Sequence, residues 1–280
     1  MTYSVSLSVS LLVIAILLTL CMVMTHKLRG SKPAKESPLE PSDGFIEPEW
    51  LGIRSGFALK PTILFLENSF SMYYEDILRE RVMNLYGWSD ETYRILLFEL
   101  KRYLIMRSTF KFIPLRGDQT RILWNEMIVH SDRFEKFCHT FAGRTLLPDP
   151  ESSERPTHHY QAMFEWFYFS CYIPTEHSAA AWGGFHQYTF DQLILQRYKQ
   201  MSHNTILITL FSMEGINNTP DIDKAANYLI ALLRSHLHAS VDLGAHAQGS
   251  AAYNKTMSTL DVSDIFPYLY TSYWRVQEQE

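Results

Sequence analysis

Cysteines and basic residues are both scarce in this sequence. Its 280 residues include three cysteines, too few for the disulfide framework of a small secreted domain. The 25 lysines and arginines are outnumbered by 30 aspartates and glutamates, which disfavours a polybasic surface for nucleic acid. We therefore expect no nucleic-acid partner.

The short motifs of several common enzyme classes are absent as well. The chain has no G-x-x-x-x-G-K-[ST] loop, no G-x-G-x-x-G turn, no H-E-x-x-H, no G-x-S-x-G and no C-x-x-C. These absences disfavour a nucleotide hydrolase, a Rossmann enzyme and a zincin. The sequence assigns no catalytic residue and predicts no cofactor.

Apolar and aromatic residues, in contrast, are abundant. Hydrophobic residues make up 46% of the chain, which contains 17 Phe, 16 Tyr and 6 Trp. That content is ample for a folded core in a chain of this length. It also excludes a chain that is disordered throughout.

The longest apolar run lies at residues 5–24, VSLSVSLLVIAILLTLCMVM, and contains no charged residue. At about 1.5 Å per residue, a helix of this length crosses the roughly 30 Å hydrocarbon layer of a bilayer. A cleaved signal peptide is the alternative, but no basic residue precedes the run and no A-x-A follows it. The sequence therefore predicts a transmembrane anchor over residues 1–25, with residues 5–24 in the lipid bilayer.

Basic residues follow this run directly and predict its orientation. They are Lys27, Arg29, Lys32 and Lys35. Basic residues beside a spanning helix favour the cytoplasmic side. We expect a single-pass protein of the inner (plasma) membrane, with its N-terminus outside and its C-terminal domain in the cytoplasm.

The rest of the chain divides into a linker and one domain. Residues 26–50 begin with the four basic residues and contain four prolines, a composition typical of a linker. Residues 51–280 are predicted to form one mostly α-helical cytoplasmic domain. Apolar spacing and capping residues predict helices from Ser89 or Asp90, from Asp118 or Thr120 as far as Gly143, from about His159 to Ile173, and from Thr219. Residues 205–211 fit a helix or a strand, and residues 239–259 are expected to form a loop.

Histidine and glutamate residues raise the possibility of a metal site. Glu126/His130 and Glu135/His139 are E-x-x-x-H pairs nine residues apart, and within one helix they lie on opposite faces. A site would therefore need ligands from several elements, with candidates Glu126, His130, His158, His159 and His186. Capped or solvated polar positions are the alternative, and His158 and His159 are expected at the surface.

Two cysteines are candidate nucleophiles. Cys138 directly precedes His139, but adjacent residues on a helix point in different directions. Cys171 lies among aromatic residues and fits a small core residue better.

One segment resembles a known family. Trp124-Asn125-Glu126-Met127-Ile128, then Phe134 to Cys138 and Gly143, are similar to the bacterial glycine-rich-domain-containing-protein-like family. The resemblance covers residues 85–150, and the matching residues are Trp124, Ile128, Phe137, Cys138 and Gly143. The family's histidines are replaced here by Asn125 and by Leu147-Pro148, and its glycine-rich tail is absent. The resemblance therefore implies a helical fold and no activity.

These features together favour a membrane-tethered α-helical interaction or scaffold protein, with a protein partner near the bilayer. Aromatic residues of the second half either expose a docking patch or fill the core. A component of a secretion, defence or envelope system fits the same features. The alternative is a metal-dependent hydrolase or metal-binding protein that uses Glu and His from several helices.

Overall fold

The computed structural model describes residues 44–147, 157–185 and 188–243. Within these ranges the chain forms helices and isolated bridges but no β-strand, and the helices pack into one globular domain. The mostly α-helical fold class is therefore confirmed for this part. The helices are α1 Lys60–Tyr86, α2 Asp90–Thr109, α3 Asp118–Val129, α4 Ser131–Ala142, α5 Thr157–Cys171, α6 Ser178–Ala181, α7 Gln192–Gln200, α8 His203–Leu210, α9 Met213–Asn218 and α10 Ile222–Leu243.

The predicted anchor over residues 1–25 and its basic flank lie outside the described residues. Among the helices that the structure does describe, none combines the length and the apolar character needed to cross a bilayer.

The predicted linker, residues 26–50, lies partly outside the described residues as well. Phe45 is already buried, and its N–H donates to Glu91 Oε1 at 2.8 Å. The packed part of the chain therefore begins before residue 51.

Helix α1 is the longest helix among the described residues, and the sequence analysis did not predict it. It packs against α2, α3 and α4. Its buried residues recur every three or four positions, which is the spacing of one helix face. They are Ile63, Leu66, Phe70, Tyr74, Leu78 and Val82.

The prediction of one continuous helix from Asp118 or Thr120 to Gly143 is wrong. Helix α3 ends at Val129, His130 adopts φ −92° and ψ 63°, and α4 begins at Ser131. The N–H groups of Arg133 and Phe134 both donate to the His130 carbonyl, which starts the second helix. The predicted end is confirmed, because Gly143 follows α4 with φ 67° in the left-handed conformation.

Helix α5 confirms the helix predicted from about His159 to Ile173, and it is buried in the domain. Most of its described side chains are buried, and the Phe167 ring stacks on Phe110 with centroids 3.6 Å apart. Glu165 interrupts the apolar sequence but is fully buried, and Arg116 Nη1 donates to its Oε1 at 2.6 Å. A paired carboxylate can therefore lie inside this otherwise apolar helix.

The ambiguous segment 205–211 is helical over most of its length. Ser202 caps α8 by accepting the N–H of Thr205 at 3.1 Å. The last helix, α10, extends to Leu243, into the range where a loop was expected. The remainder of that range lies outside the described residues.

Helix α9 approaches α2 closely, because a Cβ on Gly215 would lie 1.9 Å from the Ser108 carbonyl oxygen.

Candidate functional site

An open recess of about 360 Å³ lies between the segment that precedes α1 and the first turns of α1. The buried side chains of Leu51 and Ile63 form its apolar floor, and the half-buried Trp50 lies beside them. Carboxylates of three glutamates stand around it. The lining residues are Glu47, Pro48, Glu49, Trp50, Leu51, Ile63, Leu64 and Glu67.

The wall of the recess contains an unusual turn. Trp50, Leu51 and Gly52 have φ values of 54°, 53° and 61°, all in the left-handed region. For a non-glycine residue this conformation costs about 1–2 kcal/mol. Such strain persists only where surrounding interactions fix the backbone, and it is common at functional sites.

Arg102 supplies the main interaction that holds this left-handed turn. Its Nε donates to the Leu51 carbonyl at 2.9 Å, and its Nη2 donates to the Ile173 carbonyl at 2.9 Å. A Cβ on Gly52 would lie 2.7 Å from Nη2, so glycine is needed for the guanidinium to approach. Two backbone hydrogen bonds fix the turn to the end of α5, Ile173 N to Gly52 O at 2.8 Å and Arg54 N to Cys171 O at 2.9 Å.

Arg102 is itself held by a buried carboxylate. Glu99 and Arg102 are both fully buried, with Arg102 Nη1 3.2 Å from Glu99 Oε1. Glu99 also accepts from Ser178 Oγ at 2.7 Å, from Trp182 Nε1 at 2.8 Å and from the Tyr168 hydroxyl at 2.8 Å. Burial raises the pKa of Tyr168, so its hydroxyl stays protonated and can donate. The network is enclosed, and its role is to position the turn.

A second anchor holds the other end of the wall. The ring of Phe45 packs edge-on against Phe98 and His177, with centroids 5.5 and 5.7 Å away. Between Phe45 and Leu51 the chain is partly exposed, most of all at Ile46, which is 87% exposed, while Pro48 and Trp50 are half-buried. The wall of the recess is therefore fixed at both ends and accessible in the middle.

The charges around the recess are only partly compensated. Lys101 pairs with Glu67 at 2.6 Å, and the ammonium of Lys60 lies 5.0 Å from the centroid of the Trp50 ring. Glu47 and Glu49 are exposed. Neither forms an ion pair within residues 44–147, 157–185 and 188–243. The recess thus presents two solvated carboxylates beside an aromatic ring and an apolar floor.

The metal candidates that the structure describes lie away from the recess and do not form a cluster. Glu126 is buried and is bound by Arg81 and by the Tyr86 hydroxyl at 2.7 Å. His130 lies at the break between α3 and α4, and His158 is exposed. His186 lies outside the described residues. No group of three or more potential His, Cys, Asp or Glu ligands occurs in the part of the chain that the structure describes.

His159 was expected at the surface, and this expectation is wrong. It is 1% exposed, and its Nδ1 accepts the N–H of Asp191 at 3.1 Å. The rings of Tyr160, Phe190 and Tyr198 pack around it. Burial lowers the pKa of His159 to about 4, although the Asp191 carboxylate acts in the opposite direction. The imidazole is therefore a neutral core group near neutral pH.

The two cysteines of the domain are core residues. Cys138 and Cys171 are both buried and free. Burial raises the pKa of Cys138 to about 11 and raises the pKa of Cys171 further. Since a thiol reacts as its thiolate, neither side chain is poised as a nucleophile at neutral pH.

Sequence reasoning identified neither the recess nor the network behind it. Glu99 and Arg102 do leave a signal, because opposite charges three residues apart interrupt the apolar run of α2. Burial of both was not evident, since the same spacing is common for exposed helix pairs. Trp50 lies in the predicted linker, and no local pattern indicates a left-handed turn at a tryptophan followed by a leucine.

Comparisons with models of protein families, with curated proteins and with solved structures find no match to this chain. The resemblance of residues 85–150 to the glycine-rich-domain-containing-protein-like family stays a prediction. Its residues pack as helix and core residues, with Trp124, Phe137 and Cys138 fully buried and Ile128 half-buried. None of them lines the recess.

We expect Arg102→Ala to destabilise the protein by about 3–5 kcal/mol, because it leaves the Glu99 carboxylate buried without its cation. Arg79→Ala is the matched control, since Arg79 pairs with Asp90 at the surface, and it should cost less than about 1 kcal/mol. Urea unfolding of the full-length protein in mild detergent, followed by circular dichroism, measures both. Equal small losses would contradict the proposed role of Arg102.

A pH dependence follows from His159. Its pKa is lowered from 6.5 to about 4 in the folded protein, so the unfolded chain binds this proton more tightly. Its contribution to stability is complete above about pH 6.5 and falls by about 1.4 kcal/mol per pH unit toward pH 4. His159→Gln, which keeps an acceptor for Asp191, should reduce this slope, while His158→Gln should not. Unfolding free energies between pH 4 and 7 test this; equal slopes in both variants would argue against it.

Proposed function

We propose that this chain is a membrane-tethered interaction protein whose recess binds a short segment of a partner protein. The segment carries a lysine or arginine next to an apolar residue. The observation that carries the proposal is the fixed recess itself, with an apolar floor, an aromatic ring and two carboxylates without ion pairs in the described part of the chain.

The chemistry of the lining selects the partner. Glu47 and Glu49 favour a cationic side chain, and the face of Trp50 favours the same charge. The half-exposed Leu64 offers apolar surface beside them, above the nearly buried side chains of Leu51 and Ile63. A basic residue with an apolar neighbour satisfies both parts of the recess at once.

The shape of the recess favours a peptide segment over an enclosed small molecule. Its volume of about 360 Å³ is at the lower end of ligand pockets, and it is open to solvent. The wall is fixed before binding by Phe45 and Arg102. A fixed wall reduces the entropy that is lost when a partner binds.

The tether is the second part of the proposal. Residues 5–24 are long and apolar enough for one transmembrane helix, and the basic residues that follow favour the cytoplasmic side. The N-terminus then faces outward, and the helical domain lies in the cytoplasm beside the inner (plasma) membrane. The recess begins at Glu47, a short distance along the chain from this anchor, so partners near the bilayer are the relevant ones.

Labelling of single cysteines in intact cells tests the tether. In a Cys21→Ser background, Ser4→Cys should react with a membrane-impermeant maleimide added outside, and Ser31→Cys should react only after permeabilisation. The native Cys138 and Cys171 are buried and should stay unlabelled. The reverse pattern would overturn the orientation, and extraction of the protein by alkaline carbonate would overturn the anchor.

A peptide selection tests the recess. A displayed library of random heptapeptides is selected for binding to the full-length protein in detergent. The affinity of the selected peptides is then measured for the wild type and for variants. We expect enrichment of peptides with lysine or arginine beside an apolar residue. Glu47→Lys combined with Glu49→Lys should weaken binding at least about tenfold, since each rim charge contributes up to roughly 1 kcal/mol and its reversal adds repulsion.

The matched control is Glu80→Lys combined with Glu135→Lys, which changes the net charge equally at exposed positions outside the recess. Binding by this variant should stay within about twofold of the wild type. Selected peptides without basic residues, or equal loss in both double variants, would overturn the proposed docking site.

A further inference from the structure

We infer that Lys60 occupies the position on Trp50 that the partner's cation takes, so that Lys60 is an internal competitor that sets the affinity of the recess. The inference rests on the proposed function. It assigns a specificity-determining role to a residue that does not line the recess itself.

The geometry places a cation on the ring already. The ammonium of Lys60 lies 5.0 Å from the centroid of Trp50, within the distance at which a ring face attracts a cation. Trp50 is half-buried, whereas Lys60 is exposed. The ring is therefore fixed in the wall, and the lysine is the partner that can leave.

Helix stability does not explain a lysine at this position. Lys60 is the first residue of α1, and the preceding Leu59 provides no side-chain cap. A cation at a helix N-terminus opposes the helix dipole, where acidic residues are normally favoured. Departures from such local rules are expected at functional or strained positions.

Lys60 also leaves the nearby carboxylates unpaired. Within the described residues it forms no ion pair with Glu47 or Glu49, although the ring below its ammonium lines the same recess as both. An arriving lysine or arginine can therefore gain the carboxylates and the ring together, and the long stem of Lys60 lets its ammonium move into water.

Lys60→Met tests this, because it removes the competing ammonium and keeps the length of the side chain. The probe is a heptapeptide from the selection above that contains one lysine. Its affinity for Lys60→Met should rise about two- to fivefold, the factor that an exposed cation–π contact is worth. The same peptide with norleucine in place of lysine should show no gain. Lys60→Arg, which keeps the cation, and Lys199→Met, an exposed lysine on α7, should show no gain either.

A second readout separates competition from a general effect of charge. In the wild-type protein labelled with ¹³C-lysine, the ε-CH₂ signals of Lys60 should be shifted upfield by the Trp50 ring and return to ordinary positions when the lysine peptide binds. A gain in affinity for Lys60→Met with an unchanged Lys60 signal would overturn the inference. So would the absence of any gain. If no peptide binds the wild type, the proposed docking function itself fails.

Discussion

The buried pair of Glu99 and Arg102 is the interaction on which the wall of the recess depends. A guanidinium cannot lie in a protein interior without a counterion and a full set of acceptors. Glu99 provides the charge, and the carbonyls of Leu51 and Ile173 provide acceptors. Because those carbonyls belong to the turn and to the end of α5, satisfying one buried side chain fixes the wall of the recess. A well-packed apolar pair would leave the turn without this support.

The helices could be predicted from the sequence where one strong local signal acts alone. Helix α5 is apolar on nearly every side, and α4 ends at Gly143, so both follow from composition and capping. The break at His130 could not be predicted, because apolar spacing continues across it and two short helices resemble one long one. Helix α1 could have been predicted from the sequence, because its buried residues recur every three or four positions along one helix face.

The candidate site was much less predictable than the helices. A left-handed turn at Trp50 and Leu51 contradicts local preference, and it exists only because residues 51, 102 and 173 meet in space. The prolines and charges of this segment favoured a linker. Composition does not show that Phe45 and Leu51 are buried near the end of that segment. Long-range contacts therefore decide the site, while local patterns decide the helices.

A recess of this kind suits a tethered protein better than a free one. The proposed contacts with a basic segment are exposed, and exposed charge pairs and cation–π contacts each contribute only about 1 kcal/mol or less. Such a site binds a free partner weakly. A shared membrane and a short connection change this, because two attached chains meet at an effective concentration that reaches about millimolar. Weak contacts then suffice for occupancy, and a competitor such as Lys60 can adjust that occupancy by a small factor. The proposed recess thus provides specificity for the partner, and the proposed anchor raises the local concentration that such weak contacts need.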